Sequence, residues 1–197
     1  MSTFFGIDYG SKLTGNTVIA ILEGMHIHFM QVEKKVDADQ FIRNAVQHFQ
    51  PSWVFLDAPL SLPGVYCGIP GCQDYHFRQA DKECRAMSPM FLGGLAARAI
   101  ELKNQLQAEG VRIFETYPKI RAGQLGLPKM GYKQSKHALA PCARTVAGVF
   151  REGVKLQPSH ITTWHHLDAL LALMSAMAYE CGECEVYGHP QEGQIYV

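Results

Sequence analysis

The sequence lacks an excess of either charge and lacks any long apolar segment. Its 197 residues include 18 basic and 18 acidic side chains, so the formal net charge is zero. Proteins that coat nucleic acid non-specifically usually carry a basic surplus, so this balance counts against that class but leaves room for a local basic groove. No apolar run approaches the roughly 20 residues of a membrane-spanning helix, and we therefore expect no membrane partner.

The N-terminus also lacks the basic and then apolar form of a signal peptide. Six cysteines in a chain without an export signal indicate reduced thiols and a cytoplasmic protein. Two pairs, Cys67-x₄-Cys72 and Cys181-x₂-Cys184, have spacings open to zinc binding. The pairs lie far apart in the sequence, and ordinary reduced thiols are the simpler interpretation.

The composition is that of a folded globular chain, because 47% of the residues are apolar and 18% are charged. The length suits one compact domain, so we predict a single domain over residues 1–197. Segment 58–73 holds three prolines, three glycines and two cysteines, which indicates a long loop. Together with the helical patterns that follow, this loop predicts a helical insertion at about 58–110.

The first third of the chain predicts an antiparallel meander followed by a crossover. Short apolar or alternating runs predict strands at Thr3–Ile7, Thr17–Leu22 and His26–Val32, joined by loops too short for crossovers. Asp37–Phe49 has the apolar period of a helix, and Trp53–Leu56 is an apolar run typical of a buried strand. A right-handed crossover places this fourth strand parallel to the first.

The rest of the chain completes a predicted α/β fold with a five-stranded mixed central sheet flanked by helices. Three strands of this sheet are antiparallel and two are parallel, and the fifth strand is Val111–Phe114. The tail around Gly188 could form a final edge hairpin. The predicted helices of this part of the chain are 74–86, 91–109, 119–127, 134–150 and 159–179.

Isolated acids stand next to the apolar runs. Asp8, Asp57 and Glu115 follow predicted strands, and Asp168 precedes a charge-free helical segment. Parallel neighbours end at one edge of a sheet, about 4.8 Å apart, where ligands collect. Carboxylates there suit Mg²⁺ or Mn²⁺, which support phosphodiester cleavage. Each acid also has a structural interpretation, as a turn cap, a solvated strand end or a helix-start acid.

Five short motifs follow one another along the chain. They are Gly6-Ile7-Asp8-Tyr9-Gly10-Ser11, Asp57-Ala58-Pro59-Leu60-Ser61-Leu62-Pro63, Arg78-Gln79-Ala80-Asp81, Glu115-Thr116-Tyr117-Pro118 and His166-Leu167-Asp168-Ala169. In this order they resemble a domain-of-unknown-function family of predicted nucleases with a ribonuclease H-like fold. The resemblance covers nearly the whole chain, and the first motif is also similar to the start of Holliday-junction resolvase relatives of that fold.

The resemblance implies a divalent-metal-dependent nuclease that hydrolyses the phosphodiester bonds of nucleic acid. By that resemblance Asp8, Asp57 and Asp168 are the metal-binding and catalytic acids, and Glu115 is a candidate fourth. The choice between DNA and RNA and the oligomeric state stay open.

Four basic side chains are candidates for binding substrate phosphate. Arg78 and Arg85 carry planar guanidinium groups that can bind a phosphate through two hydrogen bonds. Lys119 and Lys136, further along the chain, are candidates for the same role. Arg78, Asp81 and Arg85 also share a helix face and could form an exposed ion-pair ladder of little energetic value. Solvated lysine is the default interpretation of Lys119 and Lys136, and also of Lys133.

Two further functions compete with the nuclease. A non-catalytic relative on the same fold that binds nucleic acid or protein is favoured by the zero net charge and the absence of a basic run. An actin-like ATPase also begins its nucleotide loop with Asp-x-Gly, but such proteins need two copies of the fold, and 197 residues hold one. His165, three residues before Asp168, could share its helix face.

Overall fold

The computed structural model of this protein describes residues 2–150 and 153–197. The strands in these ranges are β1 (Thr3–Asp8), β2 (Val18–Glu23), β3 (His26–Gln31), β4 (Trp53–Asp57), β5 (Ile113–Glu115), β6 (Val186–Tyr187) and β7 (Ile195–Tyr196). All of them belong to one mixed sheet with the order β3-β2-β1-β4-β5-β7-β6.

The first part of this sheet confirms the predicted meander and crossover. β2 pairs antiparallel with both β1 and β3, while β4 lies parallel to β1 and β5 lies parallel to β4. The central residues of β4 are fully buried, as its continuous apolar sequence predicts. The carboxyl ends of β1 and β4 therefore meet at one edge of the sheet.

The prediction of five strands is wrong, because the C-terminal tail joins the sheet and gives it seven strands in the described part of the chain. β7 pairs parallel with β5 through Glu115 and Ile195, and β6 pairs antiparallel with β7. Reciprocal backbone hydrogen bonds of 2.7 and 2.9 Å between Glu185 and Val197 extend this hairpin. Strands of two residues are too short to show alternation, so the sequence predicts a hairpin but not its place beside β5.

The helices of the described ranges flank the sheet. α1 begins where Asp37 accepts hydrogen bonds from the backbone N–H groups of Asp39 and Gln40, as an N-cap residue does. The helices are α1 (Ala38–Phe49), α2 (Gln79–Cys84), α3 (Pro89–Leu92), α4 (Gly94–Ala108), α5 (Pro118–Gln124), α6 (Leu139–Ala147) and α7 (Trp164–Glu180).

The helices of the region 58–110 are shorter than predicted. Asp74 accepts hydrogen bonds from the N–H groups of His76 and Phe77, so a turn replaces the start of the predicted helix 74–86. Gly93, with φ 52° and ψ −113°, separates α3 from α4 where one helix was predicted. Pro141 lies in the first turn of α6, where its missing N–H has no helical partner to lose.

α7 packs directly on the centre of the sheet. Its uncharged segment from Ala169 onward is largely buried against β1, β2 and β4. A Cβ atom on Gly6 of β1 would lie 2.0 Å from the backbone nitrogen of Leu173 and 2.4 Å from the carbonyl oxygen of Ala169. Glycine is therefore required for this close approach. Despite its apolar character, neither α7 nor any other helix in the described ranges has the length and apolarity to cross a membrane.

Candidate metal centre

Three carboxylates meet at the carboxyl edge of the sheet. Asp8 and Asp57 are the last residues of β1 and β4, and they are register partners across this parallel pair. Asp168 reaches the same place from the first part of α7. One carboxylate oxygen from each of the three acids lies within 4.8 Å of the others, and together they could hold a metal ion. The predicted convergence of Asp8 and Asp57 at one edge is confirmed by this register.

The start of α7 determines where Asp168 lies. Thr163 is the N-cap residue, and its hydroxyl accepts a hydrogen bond from the backbone N–H of His166. The helix therefore begins at Trp164, later than predicted, and Asp168 lies one turn inside it with no exposed surface. An acid buried this deeply in a helix does not serve as a solvated helix-start residue.

Burial and neighbouring carboxylates disfavour the ionised forms of Asp57 and Asp168. Burial, followed by the charges of Asp8 and Asp168, raises the pKa of Asp57 well above its usual range. Burial and the neighbouring Asp8 raise the pKa of Asp168 to about 6, against the opposing effects of Lys133 and Tyr132. A divalent cation would relieve this repulsion.

The donor atoms fit a hard divalent cation. Carboxylate oxygens are the ligands that Mg²⁺ and Mn²⁺ prefer. Oδ2 of Asp168 is buried and paired with the ammonium group of Lys133, so a metal cation would take the place of that ammonium group on this oxygen. The residues present therefore suit such an ion.

Three neighbours of these acids carry further charge or hydrogen bonds. Nδ1 of His165 lies 2.7 Å from Oδ2 of Asp8, and this hydrogen bond raises the pKa of His165. The hydroxyl of Tyr132 donates to Oδ1 of Asp168, and Lys133 forms an ion pair with Oδ2 of the same residue. The sequence placed His165 near Asp168, whereas it contacts Asp8. The sequence interpretation of Lys133 was a solvated lysine, whereas its ammonium group pairs with Asp168. No sequence signal marks Tyr132 or places this loop beside the acids.

Glu115 and Arg78 form a separate buried cluster. Glu115 is not part of the three-acid group, and its carboxylate accepts hydrogen bonds from Arg78 and from the backbone N–H of Leu60. Arg78 has no exposed surface. Its five N–H groups all donate, to Ser61, Asp81 and Glu115.

The structure therefore contradicts both sequence interpretations of Arg78. The guanidinium has no donor left for a substrate phosphate, and the pair with Asp81 is buried rather than part of an exposed ladder. The i, i+3 spacing of Arg78 and Asp81 is compatible with an exposed pair. The sequence does not reveal the distant partner Glu115, with which Arg78 is buried. Arg85, Lys119 and Lys136 are exposed, and their role in binding phosphate stays a prediction.

The cysteines are all free thiols. In the ranges that the structure describes, neither Cys67 and Cys72 nor Cys181 and Cys184 belong to a group of three or more metal-ligating side chains. The zinc interpretation therefore gains no support from the geometry.

Comparisons with known proteins give one family match. A family model described as "Protein of unknown function (DUF429)" matches residues 90–192, a range that includes Asp168 but neither Asp8 nor Asp57. No curated protein matches the chain in sequence. Among solved structures, T. thermophilus RuvC in complex with Holliday junction substrate is similar at 17% identity and a TM-score of 0.43, over 94% of this chain and 98% of that chain.

Proposed function

This chain belongs to the DUF429 family of proteins of unknown function, and we propose that it is a divalent-metal-dependent nuclease with a ribonuclease H-like fold. The observation that supports the proposal most is the group of three carboxylates within 4.8 Å at the ends of two parallel strands and on the first part of a buried helix. The substrate would be a phosphodiester of nucleic acid.

Each side chain at the centre has a defined task in this proposal. Asp8, Asp57 and Asp168 would hold Mg²⁺ or Mn²⁺, which when bound supplies Lewis acidity and an activated water. His165 positions the carboxylate of Asp8 through its 2.7 Å hydrogen bond. Tyr132 donates a hydrogen bond to one oxygen of Asp168, and the other oxygen, which pairs with Lys133, is the one that would bind the ion.

The second candidate function is a non-catalytic binding protein on the same fold. The specific observation in its favour is Lys133, whose ammonium group forms an ion pair with Asp168 and already supplies positive charge at the acids. A protein that uses a lysine there instead of a cation would bind without cleaving.

Cleavage assays separate these two functions. We expect the protein to cut at least one substrate among single-stranded and duplex DNA and RNA and branched junctions when Mg²⁺ or Mn²⁺ is added, and chelation to stop the reaction. Asp168→Asn should lower turnover at least about 100-fold, because it keeps the side-chain volume but removes a ligand charge. Asp74→Asn, on the surface and paired with Lys82, is the matched control and should leave turnover unchanged. Cleavage by Asp168→Asn at the wild-type rate would return Asp168 to a structural role and contradict the metal centre. Binding without cleavage of the whole panel would favour the non-catalytic protein.

A further inference from the structure

A cavity of about 290 Å³ adjoins the metal centre, with Asp57 in its wall. Two tyrosine rings, Tyr9 and Tyr117, also line it, and Met87 and Leu92 contribute apolar surface. An aromatic and apolar space therefore lies directly beside the acids at which the proposed nuclease would cut.

The ring of Tyr9 is held in place. Its hydroxyl donates a hydrogen bond to Asp39, and the guanidinium of Arg98 lies 4.9 Å from the ring centroid. Arg98 itself forms an ion pair of 2.7 Å with Asp39. This wall of the cavity is fixed before any ligand enters, which lowers the entropic cost of binding.

The polar groups of the cavity are unsuited to phosphate. Asp57, Asp81 and Glu115 contribute negative charge to its lining, and Arg78, which also lines it, has committed all five donors to protein acceptors. Among the described residues that line the cavity, no cationic side chain is free to bind a phosphate group, which would meet carboxyl groups instead.

One polar group in the lining is uncommitted. Thr116 is 2% exposed, and its buried hydroxyl has no hydrogen-bond partner among the described residues. A hydroxyl can both donate and accept, and a buried one without a partner is costly. The hydroxyl is closed off from the cavity as it lies, and rotation of the Thr116 side chain would bring it to the neutral hydrogen-bonding edge of a ligand.

We propose that this cavity receives one nucleobase of the strand whose phosphate lies at the three acids, an inference that rests on the proposed nuclease function. A base is neutral and planar, stacks on tyrosine rings, and presents a hydrogen-bonding edge to Thr116. A paired base inside a duplex cannot reach such a cavity. The substrate class is therefore a single strand, or a duplex with an unpaired base next to the cut.

The test detects base binding without metal or turnover. The ε-methyl carbon of methionine is labelled with ¹³C, and the resonance of Met87, a cavity residue, is identified through Met87→Leu. Adenosine 5′-monophosphate is added to millimolar concentration, with ribose 5-phosphate as the matched probe that lacks the base. We expect a saturable shift of the Met87 resonance with the nucleotide alone, at a Kd of about 1 mM.

Variants then locate the bound base. Ala86→Trp, at a residue of the lining, should fill the cavity and abolish the shift, and Ala108→Trp, at the exposed end of α4, should not. Tyr117→Leu should raise Kd about tenfold by removing one stacking surface, and it tests the same point if Ala86→Trp does not fold. An equal shift with ribose 5-phosphate, no shift with the nucleotide, or an unchanged Kd in folded Tyr117→Leu overturns the proposal.

The two proposals can fail separately. Nucleotide binding without cleavage of any substrate refutes the nuclease and leaves the base site standing. Cleavage without a nucleotide-dependent shift refutes the base site alone. Where both hold, placing one abasic residue at successive positions of a single-stranded substrate should lower kcat/KM about tenfold at a single position beside the cut. A uniform response along the strand contradicts a dedicated base site.

Discussion

Arg78 and Glu115 form a buried two-point ion pair, with Nη2 2.6 Å from Oε1 and Nη1 2.7 Å from Oε2. The pair joins the residue that precedes α2 to the last residue of β5. This pair therefore binds the region 58–110 to the sheet by charge. Asp81 and Ser61, which belong to the same region, accept the remaining hydrogen bonds of Arg78.

We expect Arg78→Met to destabilise the protein by about 3–5 kcal/mol, because it leaves two buried carboxylates without their cation. The free energy of unfolding from urea titration measures this. Arg85→Met, at the exposed end of the same helix, is the control and should change it by less than about 0.5 kcal/mol. A small effect of Arg78→Met would show that the cluster is relaxed or hydrated in solution.

Divalent cations should raise the melting temperature. Mg²⁺ or Mn²⁺ bound by Asp8, Asp57 and Asp168 stabilises the folded state by mass action and removes their mutual repulsion. Asp8→Asn should reduce this response, and without metal it should melt above the wild type. Glu33→Gln, on the surface, should respond like the wild type. Melting temperatures are measured without metal and at metal concentrations raised in roughly 10-fold steps. If Asp8→Asn gains as much melting temperature as the wild type, a shared cation site is contradicted.

The metal-free protein should lose stability as the pH rises from about 4 to about 6. The pKa of Asp57 is raised and that of Asp168 is raised to about 6, so in this window the folded state keeps protons that the unfolded chain has released. His165, whose pKa is raised, acts in the same direction at higher pH, while His166, whose pKa is lowered, acts oppositely. Denaturant titrations at several pH values measure the slope.

Asp57→Asn isolates the contribution of the acids, since both histidines are present in the variant and the wild type. We expect the downward slope to be smaller in Asp57→Asn, and saturating Mg²⁺ to remove most of it from the wild type. Identical slopes in the two proteins would mean that the acids are already neutralised in another way.

Lys133→Ala should bind Mg²⁺ about fivefold more tightly than the wild type, because the lysine competes with the ion for Asp168. Isothermal titration gives the two dissociation constants. Lys136→Ala removes an exposed lysine from the neighbouring turn and serves as the control. Weaker binding by Lys133→Ala would mean that the lysine orients Asp168 for the ion rather than competing with it.

The sequence is sufficient to predict the parts of this molecule that depend on local patterns. Asp8 and Asp57 end continuous apolar runs, and the handedness rule for crossovers places those runs side by side. Their shared register follows from these two facts. The structure bears out this placement.

The parts that the sequence does not predict depend on contacts between distant segments. Arg78 is buried only because Glu115, 37 residues further on, provides its partner. Tyr132 and Lys133 reach Asp168 through a loop without periodicity, and β7 joins β5 through a single register pair. No spacing rule applies to side chains that meet only after the chain has folded.

The backbone contact between Gly6 and α7 has a consequence for the geometry of the acids. At this point the separation of helix and strand is set by main-chain atoms, at Leu173 and Ala169, rather than by the volume of a side chain between them. Asp168 lies one residue before Ala169, and Asp8 lies two residues after Gly6. Changes in side-chain size elsewhere in the core can therefore be absorbed by repacking, while the span between these two carboxylates stays tied to fixed peptide dimensions.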